Sequence, residues 1–317
     1  MKAAIRSRYG SSGVLSVEDV ATPTPNDNEV LIRIYAASVN RSDDHVLRGM
    51  PWVMRLFTGL LKPRLTTTGS DFAGQIEATG KNVTLFKTGD KVMGFGGGFG
   101  IGSHAQYVTI SETKRIVLMP GNITYEQAAA CLEGAYYAAN GILQVKPSAG
   151  QKALVYGATG AIGSAYVQYF KYYGVYVTAV CGGENFDLVR SWGVDKLIDF
   201  KTEDFTKDNE RYDFVIDAVG KSTFVKCRPL LKHNGVYAPS GGMENLLWVL
   251  ITPITGGKKV LFPKDYKGSL TFIKELIEKG NFKAVIDRTY PLEKIAEAFA
   301  YVATGQKIGN VIITMHA

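Results

Sequence analysis

The chain has 317 residues, 46% of them hydrophobic, and a formal net charge of +7. This length is typical of two domains with real cores, and this composition excludes an intrinsically disordered chain. The positive charge is compatible with a phosphate-bearing ligand, a nucleic acid or an anionic membrane surface. The basic residues are spread along the chain without a long run, so none of these is singled out.

Three cysteines, Cys131, Cys181 and Cys227, lie far apart. An odd number without a C-x-x-C pair predicts neither a disulfide framework nor a structural zinc cluster. A reducing compartment is favoured, and we expect a cytoplasmic protein because the N-terminal residues show no apolar signal region. The apolar stretch at 245–257 contains Pro253 and is too short to span a bilayer. It is predicted as a buried helix or a lid over a site.

The first third of the chain is typical of short strands separated by turns rich in glycine and proline. Hydrophobic and polar residues alternate at 29–39, so Val30, Ile32 and Ile34 are expected to point inward. Further strands are predicted at 72–80, 89–95 and 105–110. Together these strands predict a small β-barrel or curled sheet.

The pattern changes after this region. Thr124, followed three residues later by Gln127, predicts a capping box at the start of a helix. From about residue 151 strands alternate with helices, which predicts a doubly wound parallel sheet. The strands are expected at 152–157, 176–180, 196–200, 214–219 and 235–241, and the helices at 161–174 and 185–193.

The end of the chain predicts a helix at 269–280 and a strand, a helix and a strand within 284–314. We therefore predict an α/β protein with two domains. A nucleotide-binding domain at 123–261 is inserted in a β-rich domain formed by 1–122 and completed by 262–317.

The sequence VYGATGAIGSA at 155–165 links a predicted strand to a predicted helix. Glycines spaced three apart allow a tight turn, a close approach of the backbone to a pyrophosphate, and close packing of helix on strand. The free N–H groups of a helix N-terminus favour an anion. A P-loop is disfavoured because no Lys-Ser or Lys-Thr pair follows. Gly163 is predicted to let the helix pack closely on the strand. The dinucleotide contacts are predicted at Gly157, Thr159, Gly160, Ala161 and Ile162.

These pieces resemble the medium-chain dehydrogenase/reductase superfamily, and within it the zinc-free quinone oxidoreductases and enone reductases. The resemblance covers essentially the whole chain and rests on GSDFAG, GDKVMGF, YGATGAIG, DAVG, AASVNRSDDHVLRG and GQKIGNVIIT. It implies a GroES-like catalytic domain and a Rossmann domain, with the site in the cleft between them. It also implies reduction by NADPH of quinones or of carbon–carbon double bonds conjugated to a carbonyl, in a homodimer or homotetramer.

Zinc dehydrogenases of this superfamily place a Cys at the position of Asn40 and Gly-His-Glu at the positions of 69–71, which here read Gly-Ser-Asp. His104, His233 and His316 have no partners at ligand spacing. Zinc needs three or four converging ligands, so we predict no metal. Reduction of quinones and enones does not require a Lewis acid to stabilise an alkoxide.

Four candidate catalytic residues follow. Asn40 either donates to a substrate carbonyl or the nicotinamide ribose, or bonds its own turn. Asp43 either orients that network or caps the following helix. His45 lies where many family members have a tyrosine and either supplies a proton or is a surface histidine. Tyr137 takes a position that is usually Thr in relatives, and either borders the pocket or packs in the core.

Further cofactor contacts are inferred from the resemblance. The segment 56–63 is predicted to cover the cleft or to form an amphipathic surface helix. Contacts to the nicotinamide half and to the adjoining loops are expected from Val219, Ser240, Gly241, Lys307 and Asn310.

The end of the second parallel strand bears on the choice of nucleotide. Cys181 and Gly182 are small and no carboxylate lies at the strand end, which favours NADP(H). Lys201 is a candidate cation for the 2′-phosphate, in place of the familiar tyrosine position held here by Phe200. Glu184 would repel that phosphate unless it points to solvent, so NAD(H) is kept as an alternative.

The leading prediction is a zinc-independent NAD(P)H-dependent quinone or enone reductase. A zinc-free carbonyl or alcohol dehydrogenase is the alternative enzyme. A protein with little turnover that binds single-stranded nucleic acid is disfavoured, because no basic stripe interleaved with aromatic residues is present. A membrane partner is not expected, because no polybasic cluster or amphipathic anchor is evident.

Overall fold

The computed structural model of the protein describes residues 1–315. It consists of two compact units: unit 1 comprises Met1–Glu133 and the chain from Lys283 onward, and unit 2 comprises Gly134–Phe282. Both boundaries lie later in the chain than those expected from sequence. The physical reason is packing: helix 125–130 contacts the sheet of unit 1, and helix 269–278 packs within unit 2.

The first part of unit 1 is β-rich and has short helices. In chain order it contains β1 (Lys2–Ile5), β2 (Ser16–Asp19), β3 (Glu29–Val39), α1 (Arg41–Arg48), α2 (Arg55–Thr58), β4 (Asp71–Thr79), β5 (Lys91–Phe95), β6 (Tyr107–Ser111), β7 (Ile116–Leu118) and α3 (Tyr125–Ala130). The capping box predicted at Thr124 and Gln127 is confirmed at the start of α3.

Unit 2 alternates strands and helices. In chain order it contains α4 (Glu133–Val145), β8 (Lys152–Tyr156), α5 (Ala161–Tyr172), β9 (Tyr176–Cys181), α6 (Phe186–Arg190), β10 (Lys196–Asp199), β11 (Tyr212–Asp217), α7 (Phe224–Cys227), β12 (Leu231–Pro239), α8 (Met243–Thr255), β13 (Lys259–Val260) and α9 (Ser269–Glu278). α4 starts at the last residue of unit 1.

The six strands of unit 2 form one parallel sheet in the order β10-β9-β8-β11-β12-β13. This is the doubly wound order in which the strand sequence reverses between β8 and β11. The predicted Rossmann-type sheet is confirmed. The carboxyl ends of β8, β9, β11 and β12 therefore lie along one edge of the sheet.

The chain then returns to unit 1 with β14 (Ile286–Pro291), α10 (Ile295–Ala303) and β15 (Asn310–Thr314). The sheet of unit 1 has the order β14-β15-β3-β4-β5-β7, and β6 also pairs with β3. β3 is long enough to pair with β6 in its first half and with β15 in its second half. The predicted inward residues Val30, Ile32 and Ile34 are fully buried in the core of this unit, so their expected burial is confirmed.

The apolar stretch at 245–257 is helical, as α8, but the expectation of a buried helix is wrong. Leu250 and Ile254 are 71% and 86% exposed, and Leu246 and Leu247 are at least half exposed. Only the face carrying Trp248 and its neighbours packs onto the core of unit 2. Within residues 1–315, no helix combines the length and the apolar character needed to cross a bilayer.

Candidate active site

The turn between β8 and α5 has the features expected of an anion cradle. Gly157 has a φ of +80°, a backbone conformation that favours glycine. A Cβ at Gly163 would lie 2.1 Å from the carbonyl oxygen of Gly157, so helix and turn are in backbone contact. At Gly160, by contrast, the nearest atom to an added Cβ is 3.5 Å away, which leaves room beside the backbone.

The N-terminus of α5 has backbone N–H groups that can donate hydrogen bonds. Gly160 is the N-cap residue and supplies no side-chain cap. The first bond of the α-helical i→i−4 ladder runs from the Ser164 N–H to the Gly160 carbonyl oxygen, at 2.9 Å. The N–H groups before Ser164 therefore have no partner within that ladder. Thr159, Ala161 and Ile162 are half-exposed at this point, so the turn fits a pyrophosphate by the physical rule for helix N-termini.

The carboxyl end of β9 carries an ion pair that sequence reasoning did not foresee. Lys201 Nζ lies 2.9 Å from both carboxylate oxygens of Glu184. The carboxylate of Glu184 lies over Gly182, where an added Cβ would come within 2.5 Å of Oε1. Glu184 thus points to Lys201 rather than away from it. Next to this pair, burial raises the pKa of the Cys181 thiol to about 11, which disfavours its reactive thiolate form.

The loop after β11 is shaped by Asp217. Its carboxylate accepts hydrogen bonds from the backbone N–H groups of Val219, Gly220 and Ser222, at 3.1, 2.8 and 2.7 Å. The Ser240 N–H donates to the Asp217 carbonyl oxygen at 2.8 Å. The predicted residues Val219, Ser240 and Gly241 therefore lie on adjacent strand ends at the same edge of the sheet as the glycine turn.

In unit 1, Asn40 lies at the centre of a buried polar network. Its side-chain Nδ2 donates to Ser38 Oγ at 2.6 Å and to Asp71 Oδ2 at 3.1 Å. Its backbone N–H donates to Asp43 Oδ2 at 2.8 Å, so Asp43 caps the start of α1. Because both amide protons of Asn40 already have acceptors, a substrate carbonyl would have to compete with Ser38 and Asp71 for them.

Glu133 extends this network. Ser70 Oγ donates to Glu133 Oε2 at 2.9 Å, and the Ser42 hydroxyl donates to Oε1. Burial, reinforced by the charge of Asp43, raises the pKa of Glu133 to about 8. Burial likewise raises the pKa values of Asp43 and Asp71 to about 7, and each is raised further by a neighbouring carboxylate. Three carboxyl groups buried in one network cannot all ionise without cost, so ionisation of one disfavours ionisation of the others.

Lys307 is half-buried, and its positive charge opposes the rise in the pKa of Glu133. Burial lowers the pKa of Lys307 to about 8, and the charges of Glu133 and Asp287 oppose that shift. Its ammonium group donates to the Gly309 carbonyl oxygen. Asn310 is buried and its amide donates to the Val285 carbonyl oxygen at 3.0 Å, so both residues are held by internal bonds of unit 1.

His45 and Tyr137 are placed by two different helices. His45 is exposed on α1, and partial burial together with the charges of Arg41 and Arg48 lowers the pKa of its imidazole. Tyr137 is half-buried on α4 and lies edge-on to Tyr136. The roles of these two residues stay predictions.

Sequence reasoning missed Ser38, Ser42 and Glu133, because the bonds in this network join residues up to 91 positions apart. A signal was present at Glu133, which is the only charged residue in the run of small and apolar residues from Ala128 to Ala139. A lone charge in such a run is expected to be buried and partnered.

The other histidines have structural explanations. His104 is fully buried, and burial lowers its pKa to about 4. Its Nε2 lies 2.9 Å from the Ser38 carbonyl oxygen and its Nδ1 lies 2.9 Å from the Thr68 hydroxyl, so it is a neutral core residue. His233 is exposed on β12, and His316 lies outside the described residues.

The side chains at the zinc-ligand positions of related dehydrogenases do not fit zinc. Asn40 uses its amide as a donor, and Ser70 donates its proton to Glu133. Within residues 1–315, no three His, Cys, Asp or Glu side chains are arranged to hold a metal ion. Zinc requires convergent lone pairs, whereas these groups are committed to one another.

Comparisons with known proteins agree across the chain. Residues 26–121 match the alcohol dehydrogenase GroES-like domain family, and residues 192–313 match the family described as zinc-binding dehydrogenase. A chloroplastic quinone oxidoreductase of Triphysaria versicolor is 33% identical over 96% of this chain and 94% of its own length. An NADPH-dependent alkenal/one oxidoreductase of Arabidopsis thaliana is 30% identical over 99% of this chain and 79% of its own length.

The fold is shared with a quinone oxidoreductase from Coxiella burnetii, at a TM-score of 0.90, 24% identity, and coverage of 100% of this chain and 99% of that one. The sequence relatives confirm the resemblance that the sequence motifs carry. The chain belongs to the medium-chain dehydrogenase/reductase superfamily, in its quinone oxidoreductase and enone reductase branch.

Proposed function

We propose that this protein is an NAD(P)H-dependent oxidoreductase that reduces a quinone, or the carbon–carbon double bond of an α,β-unsaturated carbonyl, without zinc. The observation that carries this proposal is the network around Asn40 and Ser70. Side chains that would ligate zinc in a related alcohol dehydrogenase are here hydrogen-bonded to buried carboxyl groups. Reduction of a quinone or enone suits such a site, because the acceptor needs a hydride and a proton but no metal-bound alkoxide.

The cofactor is proposed to be held mainly by unit 2. The glycine turn from Gly157 to Ile162 and the N-terminus of α5 would bind the pyrophosphate. The strand ends at Cys181, Val219, Ser240 and Gly241 would border the ribose and nicotinamide groups. When bound, the nicotinamide supplies the hydride. Lys307 and Asn310 of unit 1 are proposed to contact the nicotinamide half of the cofactor.

The proton is proposed to come from water or from His45. At neutral pH the lowered pKa of His45 leaves most of its imidazole neutral, so only a minor imidazolium fraction can donate directly. Asn40 and Asp43 are proposed to hold the start of α1, and with it His45, in place. Tyr137 is proposed to border the acceptor.

NADPH is proposed as the preferred nucleotide, with NADH as a second donor. The support is Lys201, an exposed ammonium at the end of the strand pair β9 and β10, and the name of the alkenal/one oxidoreductase relative, which specifies NADPH. Glu184 neutralises Lys201 in the absence of a 2′-phosphate. A bound 2′-phosphate must therefore displace Glu184 from Lys201, which reduces the preference for NADPH without abolishing it.

We also propose that the protein forms a homodimer or homotetramer and that it is located in the cytoplasm, a reducing compartment. Cys131, Cys181 and Cys227 are all free and buried, which suits reducing conditions. The two-residue strand β13 is the last strand at one edge of the parallel sheet. Helix α8 comes after β12 in the chain and carries an exposed apolar face. An open strand edge beside an apolar face supports self-association, and light scattering during size-exclusion chromatography measures it.

Product analysis tests the proposed reaction. The purified protein is incubated with NADPH and methyl vinyl ketone, and the products are separated by gas chromatography. The proposal expects the saturated ketone. Formation of the allylic alcohol instead would show carbonyl reduction, the activity of a zinc-free alcohol dehydrogenase.

A further inference from the structure

Unit 2 has a cavity of about 290 Å³ that the proposed function does not use. Its walls include two aromatic side chains, Phe224 and Trp248, and three basic ones, Arg228, His233 and Lys258. Arg228 precedes β12, His233 lies near the start of β12, and Lys258 directly precedes β13. The cavity is therefore at the amino ends of these strands.

The cofactor edge is at the other end of the same strands. From the middle of β12 to Ser240 the chain is extended and rises by roughly 3.3 Å per residue. His233 and Ser240 are thus on the order of 15–20 Å apart along the strand. A ligand in the cavity would not overlap a nucleotide held at Gly157, Ser240 and Gly241.

The cavity owes its shape to an irregularity in β12. Tyr212 of β11 pairs with Leu231, and Phe214 pairs with Val236. Between these two pairs β11 has one residue and β12 has four, so the segment 232–235 bulges out of the sheet. Bulges of this kind redirect side chains and are frequent beside functional sites. Here the bulge brings His233 to the cavity wall.

Arg228 and Lys258 place two positive charges at the wall of the cavity. Lys258 Nζ donates to the Arg228 carbonyl oxygen at 2.6 Å, which fixes the ammonium group at the wall with two protons left to donate. Burial lowers the pKa of Lys258, and the charges of Arg228 and Arg211 lower it further. Among the ion pairs of residues 1–315, none joins Arg228, His233 or Lys258 to a carboxylate. An incoming anion would relieve this repulsion.

Two aromatic side chains also line the cavity. The ring centroids of Phe224 and Trp248 are 5.2 Å apart with their planes inclined at 53°. Trp248 is half-buried, and Thr252, one helical turn further along α8, adds a hydroxyl group that accepts the Val260 N–H at 3.1 Å. A planar apolar group can pack on Trp248 while an oxyanion meets the basic side chains.

We propose that this cavity is a second ligand site of unit 2, which binds a small organic oxyanion: a phosphate or carboxylate group attached to a planar apolar body. The oxyanion accepts hydrogen bonds from Lys258 and Arg228, and the apolar body packs on Trp248. The ligand binds at the edge of the sheet remote from the nucleotide, so binding does not compete with the cofactor.

Fluorescence of Trp248 measures this binding directly. Trp52 and Trp192 are replaced by phenylalanine so that Trp248 is the remaining tryptophan, and saturating NADP⁺ is present to fill the nucleotide site. Phenyl phosphate, benzoate, inorganic phosphate and phenol are the probes. We expect phenyl phosphate or benzoate to change the fluorescence with a Kd on the order of 0.1–1 mM, and phenol and inorganic phosphate to bind at least about tenfold more weakly.

Substitutions that remove a charge identify the side chains that bind the anionic probe. Lys258→Met and Arg228→Met should each weaken the better probe at least about tenfold, the usual loss for one charge-assisted hydrogen bond. Lys279→Met removes the same charge from an exposed position of unit 2 outside the cavity, and should leave the Kd within about twofold. Circular dichroism checks that each variant is folded.

Several results would overturn the proposal. Equal binding of phenol and phenyl phosphate would refute the role of the anion. Equal binding of inorganic phosphate and phenyl phosphate would refute the role of the aromatic wall. An unchanged Kd in both Lys258→Met and Arg228→Met, or a fluorescence change that is seen only when NADP⁺ is omitted, would place the bound probe elsewhere.

Discussion

Two glycines in the turn between β8 and α5 allow cofactor binding and packing to be perturbed separately. An added Cβ at Gly163 would lie 2.1 Å from the oxygen and 2.8 Å from the carbon of the Gly157 carbonyl group. At Gly160 the nearest atom would be 3.5 Å away, and its φ of −72° is an ordinary value for alanine. Gly163→Ala should therefore disturb the fold, whereas Gly160→Ala should fit.

The magnitudes follow from these contacts. Overpacking of backbone against backbone costs about 3 kcal/mol, and the better helix propensity of alanine offsets about 1 kcal/mol, which leaves a net loss of about 2 kcal/mol for Gly163→Ala. For a unit of this size that corresponds to a fall in Tm of about 4–8 °C. Gly160→Ala should move Tm by less than about 2 °C, since its conformation is already compatible with alanine.

Gly160→Ala, in contrast, should weaken cofactor binding. The methyl group of Gly160→Ala would occupy space beside the backbone where a pyrophosphate is proposed to bind, so the Kd for NADPH should rise about tenfold or more. Titration followed by protein fluorescence measures the Kd, and differential scanning calorimetry measures Tm. Unchanged NADPH affinity in Gly160→Ala would refute the assignment of this turn to the cofactor. An unchanged Tm in Gly163→Ala would refute the packing argument.

Three further predictions concern single side chains. Glu184→Gln removes the charge that neutralises Lys201, so KM for NADPH should fall about threefold to tenfold while KM for NADH changes less; equal changes for both nucleotides would contradict the 2′-phosphate assignment. Glu133, with a folded pKa of about 8, holds a proton that the unfolded chain releases near its ordinary pKa of about 4, so stability should fall as pH rises from about 4 to 8. Glu133→Gln should flatten this fall in Tm, and an unaltered slope would show that Glu133 ionises normally. His45→Phe should lower kcat if His45 donates the proton, and an unchanged kcat across pH with the best acceptor would assign that step to water.

The fold was largely predictable because its signals are local. The alternation at 29–39, the capping box at Thr124 and the glycine spacing at 157–163 each concern neighbours in sequence, and the structure has the expected elements there. The exposure of α8 is not predictable in this way, because hydrophobic composition predicts burial but does not say which side of a helix finds a partner.

The polar network was not predictable in the same way. The sequence singles out Asn40 and Asp43 because they lie close together in the chain. Their acceptors and neighbours, Asp71 and Glu133, reach them only after β3 pairs with β4 and after α4 begins beside them. The pairing of Glu184 with Lys201 likewise depends on the register of β9 and β10. Such contacts are set by tertiary structure rather than by sequence spacing.

The central claim is that this chain transfers hydride from a nicotinamide nucleotide to a quinone or an enone without a metal. Steady-state oxidation of NADPH and NADH at 340 nm, after treatment with a zinc chelator, tests it against matched quinones, enones and aldehydes. We expect turnover with a quinone or an enone, a rate unaffected by the chelator, and a higher kcat/KM with NADPH than with NADH. No turnover with any acceptor, or activity restored only by added zinc, would contradict the claim.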